Sequence, residues 1–481
     1  MSQAPQSQPS TDSSLSAGRR NTIAVYGLLL LVGIALLFWI LHLGTALTLP
    51  TEVAANPFNQ HSDKVDAHTL LHVLLALLVV IAASRGLGFV FRYLHQPPVI
   101  GEMIAGIMLG PSLLGQIAPE VSQYLLPPAI APSLGVLAQV GVILFMFLVG
   151  LELDTSLLRK NGHSTLAISH ASIVLPFVLG AALSLWLYPR LSTRDVPFTP
   201  FALFMGVAMS VTAFPVLARI LTDRGLQRTP LGVIAISCAA VDDVSAWCLL
   251  AMLVAIAKSD SGSILLTLGL SLGYIAFMLM VVRPWIRSVV RMQALKGIVT
   301  QSHIAIVFVG LLLSAFVTEL IGIHALFGAF LFGAIIPHAS LLAKEMTAKL
   351  EDLVIVLLLP VFFAFTGMRT EIGLLSSTSH WLICGLIISV ACLGKFGGSA
   401  IAARFSGLSW RDSTSLGVLM NTRGLMELIV LNVGLDLRVL SPTLFAMMVI
   451  MALVTTFATA PLLSLLNRGQ QNDAGLAHVK P

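Results

Sequence analysis

The chain reads as an all-α polytopic membrane protein, with about thirteen core transmembrane helices in two inverted repeats and one extra N-terminal helix. Three observations carry that reading. Of 481 residues 57% are hydrophobic and only 10% are charged, against about 25% charged in a soluble domain; the mean hydropathy is +0.94. Apolar runs of spanning length recur along the chain. At about 1.5 Å per residue, some twenty residues cross a hydrocarbon core about 30 Å thick. Finally, motifs of the first half return in the second.

Residues 1–21, rich in Ser and Gln and ending Arg19-Arg20-Asn21, are expected to be a disordered cytoplasmic N-terminus. The apolar run at 22–47 is longer than the ~7–15-residue core of a signal peptide, so it reads as an uncleaved helix. Further runs follow at 69–91, 98–117, 133–152, 164–187, 199–222, 230–257, 263–289, 302–321, 323–338, 351–369, 379–403, 413–435 and 441–466. Residues 467–481 form a short tail. The net charge of +5 reflects basic loops between apolar segments and implies no nucleic-acid partner. With Arg19 and Arg20 inside, alternation also places Arg92, Arg159, Lys160, Arg224, Arg228, Arg283, Arg287, Lys344, Arg404 and Arg411 inside. Few basic residues fall outside, so both termini are expected in the cytoplasm. Cys238, Cys248, Cys384 and Cys392 all lie in apolar runs and read as small core hydrophobes.

Phe145-Met-Phe-Leu-Val-Gly-Leu-Glu-Leu-Asp-Thr-Ser-Leu-Leu158 matches Phe362-Phe-Ala-Phe-Thr-Gly-Met-Arg-Thr-Glu-Ile-Gly-Leu-Leu375 in Phe, Gly, an acidic position and a Leu pair. Gly206-Val-Ala-Met-Ser210 then matches Gly417-Val-Leu-Met-Asn421. The matched runs cross the bilayer in opposite senses, which makes the repeats inverted (about 69–257 and 302–466), as in alternating-access transporters. Both repeats are interrupted at the same place. Ser210-Val-Thr-Ala-Phe-Pro-Val-Leu-Ala-Arg219 carries Pro215 inside a helix, and Asn421-Thr-Arg-Gly-Leu-Met-Glu427 sets Asn421, Arg423 and Glu427 at membrane depth.

Asp242 and Asp243 stand side by side in the run 230–257. A carboxylate near mid-membrane costs roughly 2.5–3.5 kcal/mol on the insertion scale. Helical neighbours point about 100° apart, so one can meet a countercharge while the other faces an aqueous cavity. Lys395, within Leu393-Gly-Lys-Phe-Gly-Gly398, lies nine residues from Arg404 and is too deep to snorkel. It is expected to pair with an aspartate, and the flanking glycines admit a close helix.

The chain resembles the monovalent cation:proton antiporter-2 family of the wider sodium/proton exchanger fold. The resemblance rests on Pro98-Val-Ile-Gly-Glu-Met-Ile-Ala-Gly-Ile-Met-Leu-Gly-Pro111, Phe147-Leu-Val-Gly-Leu-Glu-Leu-Asp154, Thr212-Ala-Phe-Pro-Val-Leu-Ala-Arg219, Val241-Asp-Asp-Val244 and Asn421-Thr-Arg-Gly-Leu-Met-Glu-Leu-Ile-Val430, in order over 69–466. Two of these are most similar to the plant cation/proton exchanger branch. The resemblance implies thirteen core helices, a homodimerisation domain and a mobile core moving as an elevator. It also implies that 199–222 and 413–435 are crossing, unwound helices. Asp243 would bind the transported Na⁺ or K⁺ and the proton, with Asp242 paired to Lys395. The expected setting is a bacterial inner membrane. The helix at 22–47 lies outside the family pattern, and no nucleotide-binding regulatory domain is expected after 466.

A desolvated carboxylate takes up either a proton or a dehydrated cation, here with Thr212 and backbone carbonyls as further ligands. Arg423 and Glu427 would neutralise the dipole ends of the broken helices. Blander roles are expected elsewhere. Glu102 would either start a helix or serve a functional role, Glu152 and Asp154 would sit at the cytoplasmic interface, and Glu319, with His324 nearby, would be solvated near the external face. A sodium-coupled symporter of an organic anion would want a wider polar cavity, and a cation channel a Gly-rich filter loop. Neither appears. No nucleophile elbow, metal-binding helix motif or phosphate loop points to an enzyme, and no cofactor is expected.

Overall fold

The computed structural model describes residues 28, 31–43, 69–94, 96–153, 162–193, 196–227, 229–258, 264–296 and 299–477. Every regular element among them is helical. In chain order the longer helices are α1 (Leu31–Leu43), α2 (Thr69–Tyr93), α3 (Pro98–Leu109), α4 (Ala131–Glu152), α5 (Gly162–Leu191), α6 (Phe198–Ser210), α7 (Phe214–Asp223), α8 (Pro230–Lys258) and α9 (Ile264–Phe277). Then follow α10 (Arg283–Lys296), α11 (Gln301–Ile321), α12 (Ala325–Ile335), α13 (Leu341–Leu353), α14 (Leu359–Met368), α15 (Thr378–Phe405), α16 (Trp410–Met420), α17 (Leu425–Asp436) and α18 (Pro442–Ala477). Among the described residues eleven helices are long and apolar enough to cross a membrane, or twelve when the bent pair α16–α17 counts as one span. The chain is an integral membrane protein.

Two runs end differently in the structure. The run 323–338 yields only the eleven-residue α12, bounded by His324 and Ile336. At 1.5 Å per residue α12 is about 16 Å long, too short to cross alone. The run 351–369 continues back to Leu341 through Lys344, Glu345, Lys349, Glu351 and Asp352, because an amphipathic end can leave the apolar layer without breaking the helix. A π-turn at Val354–Leu358 joins α13 to α14, and another at Met278–Val282 joins α9 to α10. Of the run at 22–47 only Leu28 and Leu31–Leu43 are described; Asp154, Arg159 and Lys160 lie outside the described residues.

The helices fall into two groups. Those from α5 to α8 and from α15 to α18 pack chiefly against one another, as do α2 to α4 with α11, α12 and α14. The first group, the site bundle, holds the deepest polar residues; the second is the flanking bundle. Within the site bundle, the segment Phe198–Thr222 is the most enclosed span, 83% buried over its apolar window. Glycine sets one contact that matters for the site. A Cβ on Gly394 would come within 2.8 Å of Pro176 Cα, and one on Gly398 within 2.7 Å of the Ala171 carbonyl oxygen. Bare backbone at these two positions lets α15 lie against α5 with Lys395 between them.

Candidate ion-binding site

Two helices of the site bundle are interrupted, and their breaks meet. Residues 211–213 separate α6 from α7, and 421–424 separate α16 from α17, which bends that pair by 43°. The Ala213 N–H donates to the Thr422 carbonyl at 3.0 Å, tying one break to the other. Pro215 is not in a helix interior, as its position in the run had implied. It occupies the first turn of α7, where a missing N–H costs nothing and its fixed φ suits a helix start.

Each break exposes helix ends that side chains complete. Arg423 is fully buried and donates to the carbonyls of Ala208 at 2.8 Å and Met209 at 2.7 Å, at the C-terminal end of α6. Lys395 Nζ donates to the Ser210 carbonyl at 2.5 Å. Two cations from the second half of the chain thus cover the negative end of a half-helix in the first. Glu427 lies in the first turn of α17, where the dipole favours an anion, and accepts from Arg423 at 2.8 Å. The Thr456 hydroxyl donates to the Arg423 carbonyl at 2.7 Å, holding the break against α18.

The aspartates on α8 face different surroundings. Asp242 is wholly enclosed and saturated. Its Oδ1 accepts from Ser169 at 2.5 Å. Its Oδ2 accepts from Ser172 at 2.5 Å, Thr212 at 2.8 Å and Lys395 at 2.9 Å. Lys395 completes its own shell on the carbonyl of Ser172 at 3.1 Å. Asp243, 3% exposed, is placed against the other half of the broken helix. Its carboxylate lies beside the backbone N–H of Phe214, the first residue of α7. Its Oδ2 has no hydrogen-bond partner.

A buried carboxylate oxygen with no donor is expensive unless something neutralises it. At Asp243 the positive end of α7 approaches from one side. The chemistry on offer is a proton or a dehydrated monovalent cation, which oxygen ligands suit. No group of three or more His, Cys, Asp or Glu residues among those described could hold a resident metal.

The family model described as sodium/hydrogen exchanger, transmembrane, matches residues 73–465. The chain belongs to this family. It is 45% identical over 401 residues to the Na⁺/H⁺ antiporter NhaS4 of Synechocystis sp., an alignment covering 83% of this chain and 98% of that one. It is 41% identical to cation/H⁺ antiporter 17 of Arabidopsis thaliana over 87% of this chain and 51% of the relative, and so spans about half that protein's length. Against K⁺/H⁺ antiporter 1 of Saccharomyces cerevisiae the identity is 32%, over 87% of this chain and 48% of the relative. The solved structure of the sodium proton antiporter MjNhaP1 from Methanocaldococcus jannaschii shares the exchanger fold, with a TM-score of 0.62 and 15% identity over 84% of this chain and 98% of that one.

Within this exchanger fold several side chains stand away from their expected neighbours. Thr212 does not hydrogen-bond to Asp243; its hydroxyl serves Asp242 and lies 3.4 Å from the Met420 carbonyl. Asn421 turns from the aspartates, its amide 3.5 Å from Cys392 Sγ and its Oδ1 buried without a partner. Glu102 is not at a helix start: α3 begins at Pro98, and Glu102 is buried within it. Glu152 ends α4 on an exposed position. Glu319 is exposed, yet its Oε2 accepts the Ala325 N–H at 2.9 Å at the start of α12. Ser169 and Ser172 were not singled out by sequence reasoning. Their signal was present, two hydroxyls three residues apart on one face of an apolar helix, but hydroxyls are common in membrane helices and bond their own backbone.

Proposed function

We propose that this exchanger is a secondary antiporter that moves a monovalent cation, Na⁺ or K⁺, against protons by elevator-type alternating access. One observation carries the reading. Asp243 is enclosed at the crossing of two broken helices with an unpartnered oxygen, while Asp242 beside it is saturated by Lys395 and three hydroxyls. As a bare anion Asp243 is costly in a dry bundle; a proton or a cation neutralises it. Binding of the two is therefore exclusive, and transit of the empty charged site is penalised. Exchange follows.

Asp243 is assigned the transported ion and the proton, Asp242 with Lys395 the supporting ion pair, and Arg423 with Glu427 the electrostatics of the broken ends. Thr212 steadies Asp242 and brings the unwound carbonyls of 211–213 toward the site. The site bundle is the moving part and the flanking bundle the scaffold, through which two copies form a homodimer in a cell membrane with cytoplasmic termini. The names of the relatives, one a Na⁺/H⁺ and one a K⁺/H⁺ antiporter, support a monovalent cation and leave two candidates. Reconstituted vesicles holding a pH-sensitive dye test the reading, with Na⁺, K⁺, Li⁺ and Rb⁺ added in turn. Proton movement opposite to an added cation is expected. Cation flux with single-channel currents and no proton movement would overturn the class.

A further inference from the structure

At one face of the molecule three side-chain hydrogen bonds run between the two bundles. Arg369 follows α14 in the flanking bundle and donates to Asn432 Oδ1 at 3.1 Å and to Asp436 Oδ1 at 2.6 Å. Asn432 Nδ2 in turn donates to Thr366 Oγ1 at 2.8 Å. Asn432 and Asp436 occupy the last turns of α17, in the site bundle. A guanidinium there also meets the negative end of the α17 dipole. Arg369 is 7% exposed and lies over the Phe365 ring at 5.3 Å, so its fork is held in place.

Each side of this contact is fastened to its own bundle. The Ser112 hydroxyl donates to the Thr370 carbonyl at 2.6 Å and accepts the Ile372 N–H at 3.0 Å, fixing the segment after α14 to the turn after α3. The Thr193 hydroxyl donates to the Arg438 carbonyl at 2.9 Å, fixing the end of α17 to the end of α5. Relative motion of the bundles therefore falls on the Arg369 contacts rather than on flexible loops. A cavity of about 200 Å³ opens beside them; its lining is mostly apolar but includes Gln139, Glu319, His324, Arg369, Asn432 and Asp436. The other end of α17 carries Glu427, bound to Arg423, which holds the α6 carbonyls at the ion site. The helix is a rod of twelve residues between clamp and site.

We propose that Arg369 is a positioning residue for exchange. It clamps the last turn of α17 to the flanking bundle in the conformation seen here and releases Asp436 and Asn432 each time the site bundle moves. The proposal rests on the moving-bundle reading above. Loss of the clamp lowers the population of this conformation and changes the ease with which the ion site passes between its two exposures.

Spin labels on Tyr124→Cys and Trp381→Cys, in an otherwise cysteine-free chain, report the separation of the two bundles in vesicles. Both positions are exposed, Tyr124 on the short helix Pro119–Leu125 that packs against α2 and Trp381 on α15. Two distance populations whose ratio follows cation and proton concentrations are expected for the native clamp. R369Q and D436N should each shift the ratio away from the distance matching this structure and change the KM for the cation and kcat unequally. The swapped pair, Arg369→Asp with Asp436→Arg, should return the ratio toward native and serve as the folding control. Populations that respond to ions but are identical in native, R369Q and D436N proteins would overturn the clamp alone. A single distance under all ion conditions, in a protein that still exchanges, would overturn the moving-bundle reading and the clamp with it.

Discussion

Asp242 and Asp243 are one residue apart and live in opposite chemical settings. Around Asp242, α5, α15 and the first break supply three hydroxyls and an ammonium, and both carboxylate oxygens are filled. Beside Asp243 lies the first turn of α7, and Oδ2 has no hydrogen-bond partner. The difference follows from the helix: neighbours about 100° apart project into different interfaces. It teaches that the two charges divide the work. A filled carboxylate holds the break in shape, and an unfilled one is available to exchange its partner.

The sharpest way to break this comparison is Asp243→Asn, which keeps shape and removes the exchangeable charge. Cation-driven proton flux in vesicles should vanish while the melting temperature stays near native or rises, since a costly buried carboxylate has gone. Normal flux would remove Asp243 from its role.

Next in size is Lys395→Ala. Removing one partner of a buried ion pair leaves Asp242 without its countercharge and the Ser210 carbonyl without a donor. A loss of roughly 3–5 kcal/mol in stability is expected, read by thermal or chemical unfolding in detergent. A loss no larger than that of an exposed lysine would show that the pair does not hold the site. Lys395 also offers a second proton. If it releases one when the cation arrives, native exchange moves net charge and responds to an imposed membrane voltage; indifference to voltage confines Lys395 to the structural pair.

Arg423→Gln should weaken transport with a smaller loss of stability than Lys395→Ala, because a neutral amide can still donate to one of the two α6 carbonyls that Arg423 now covers. Glu427 would then lose its partner, so E427Q combined with R423Q should cost less than the sum of the two. Strict additivity would show that the two groups act separately.

The smallest effect is expected from Ser169→Ala. It removes one hydroxyl from Asp242 and leaves three donors, so a cost of about 1–3 kcal/mol is expected, with exchange retained. Abolished exchange in a folded S169A protein would mean that Asp242, rather than Asp243, titrates.

Much of this was legible in the sequence because the membrane makes charge conspicuous. Asp242, Asp243, Lys395, Arg423 and Glu427 stood out as ionisable groups in apolar runs, and the runs themselves gave the helices. Partner choice was less legible. Thr212 precedes Pro215 by three residues in an unwound stretch, and only the path of residues 211–213 turns its hydroxyl to Asp242. Ser169 and Ser172 looked like ordinary membrane-helix hydroxyls until α5 was packed on α8. Arg369 lies near the end of an apolar run, where an arginine usually meets water, and its contact with Asp436 spans 67 residues of sequence. The π-turns at Met278–Val282 and Val354–Leu358 left no Gly or internal Pro signal in their own residues.

The central claim is that Asp243 exchanges a proton for the cation. It is tested most directly by proton release from purified protein in weakly buffered solution as Na⁺ or K⁺ is added. The account predicts release on cation addition by the native protein and by S169A, and none by D243N, with each variant folded by its unfolding transition. Undiminished release from folded D243N would contradict it.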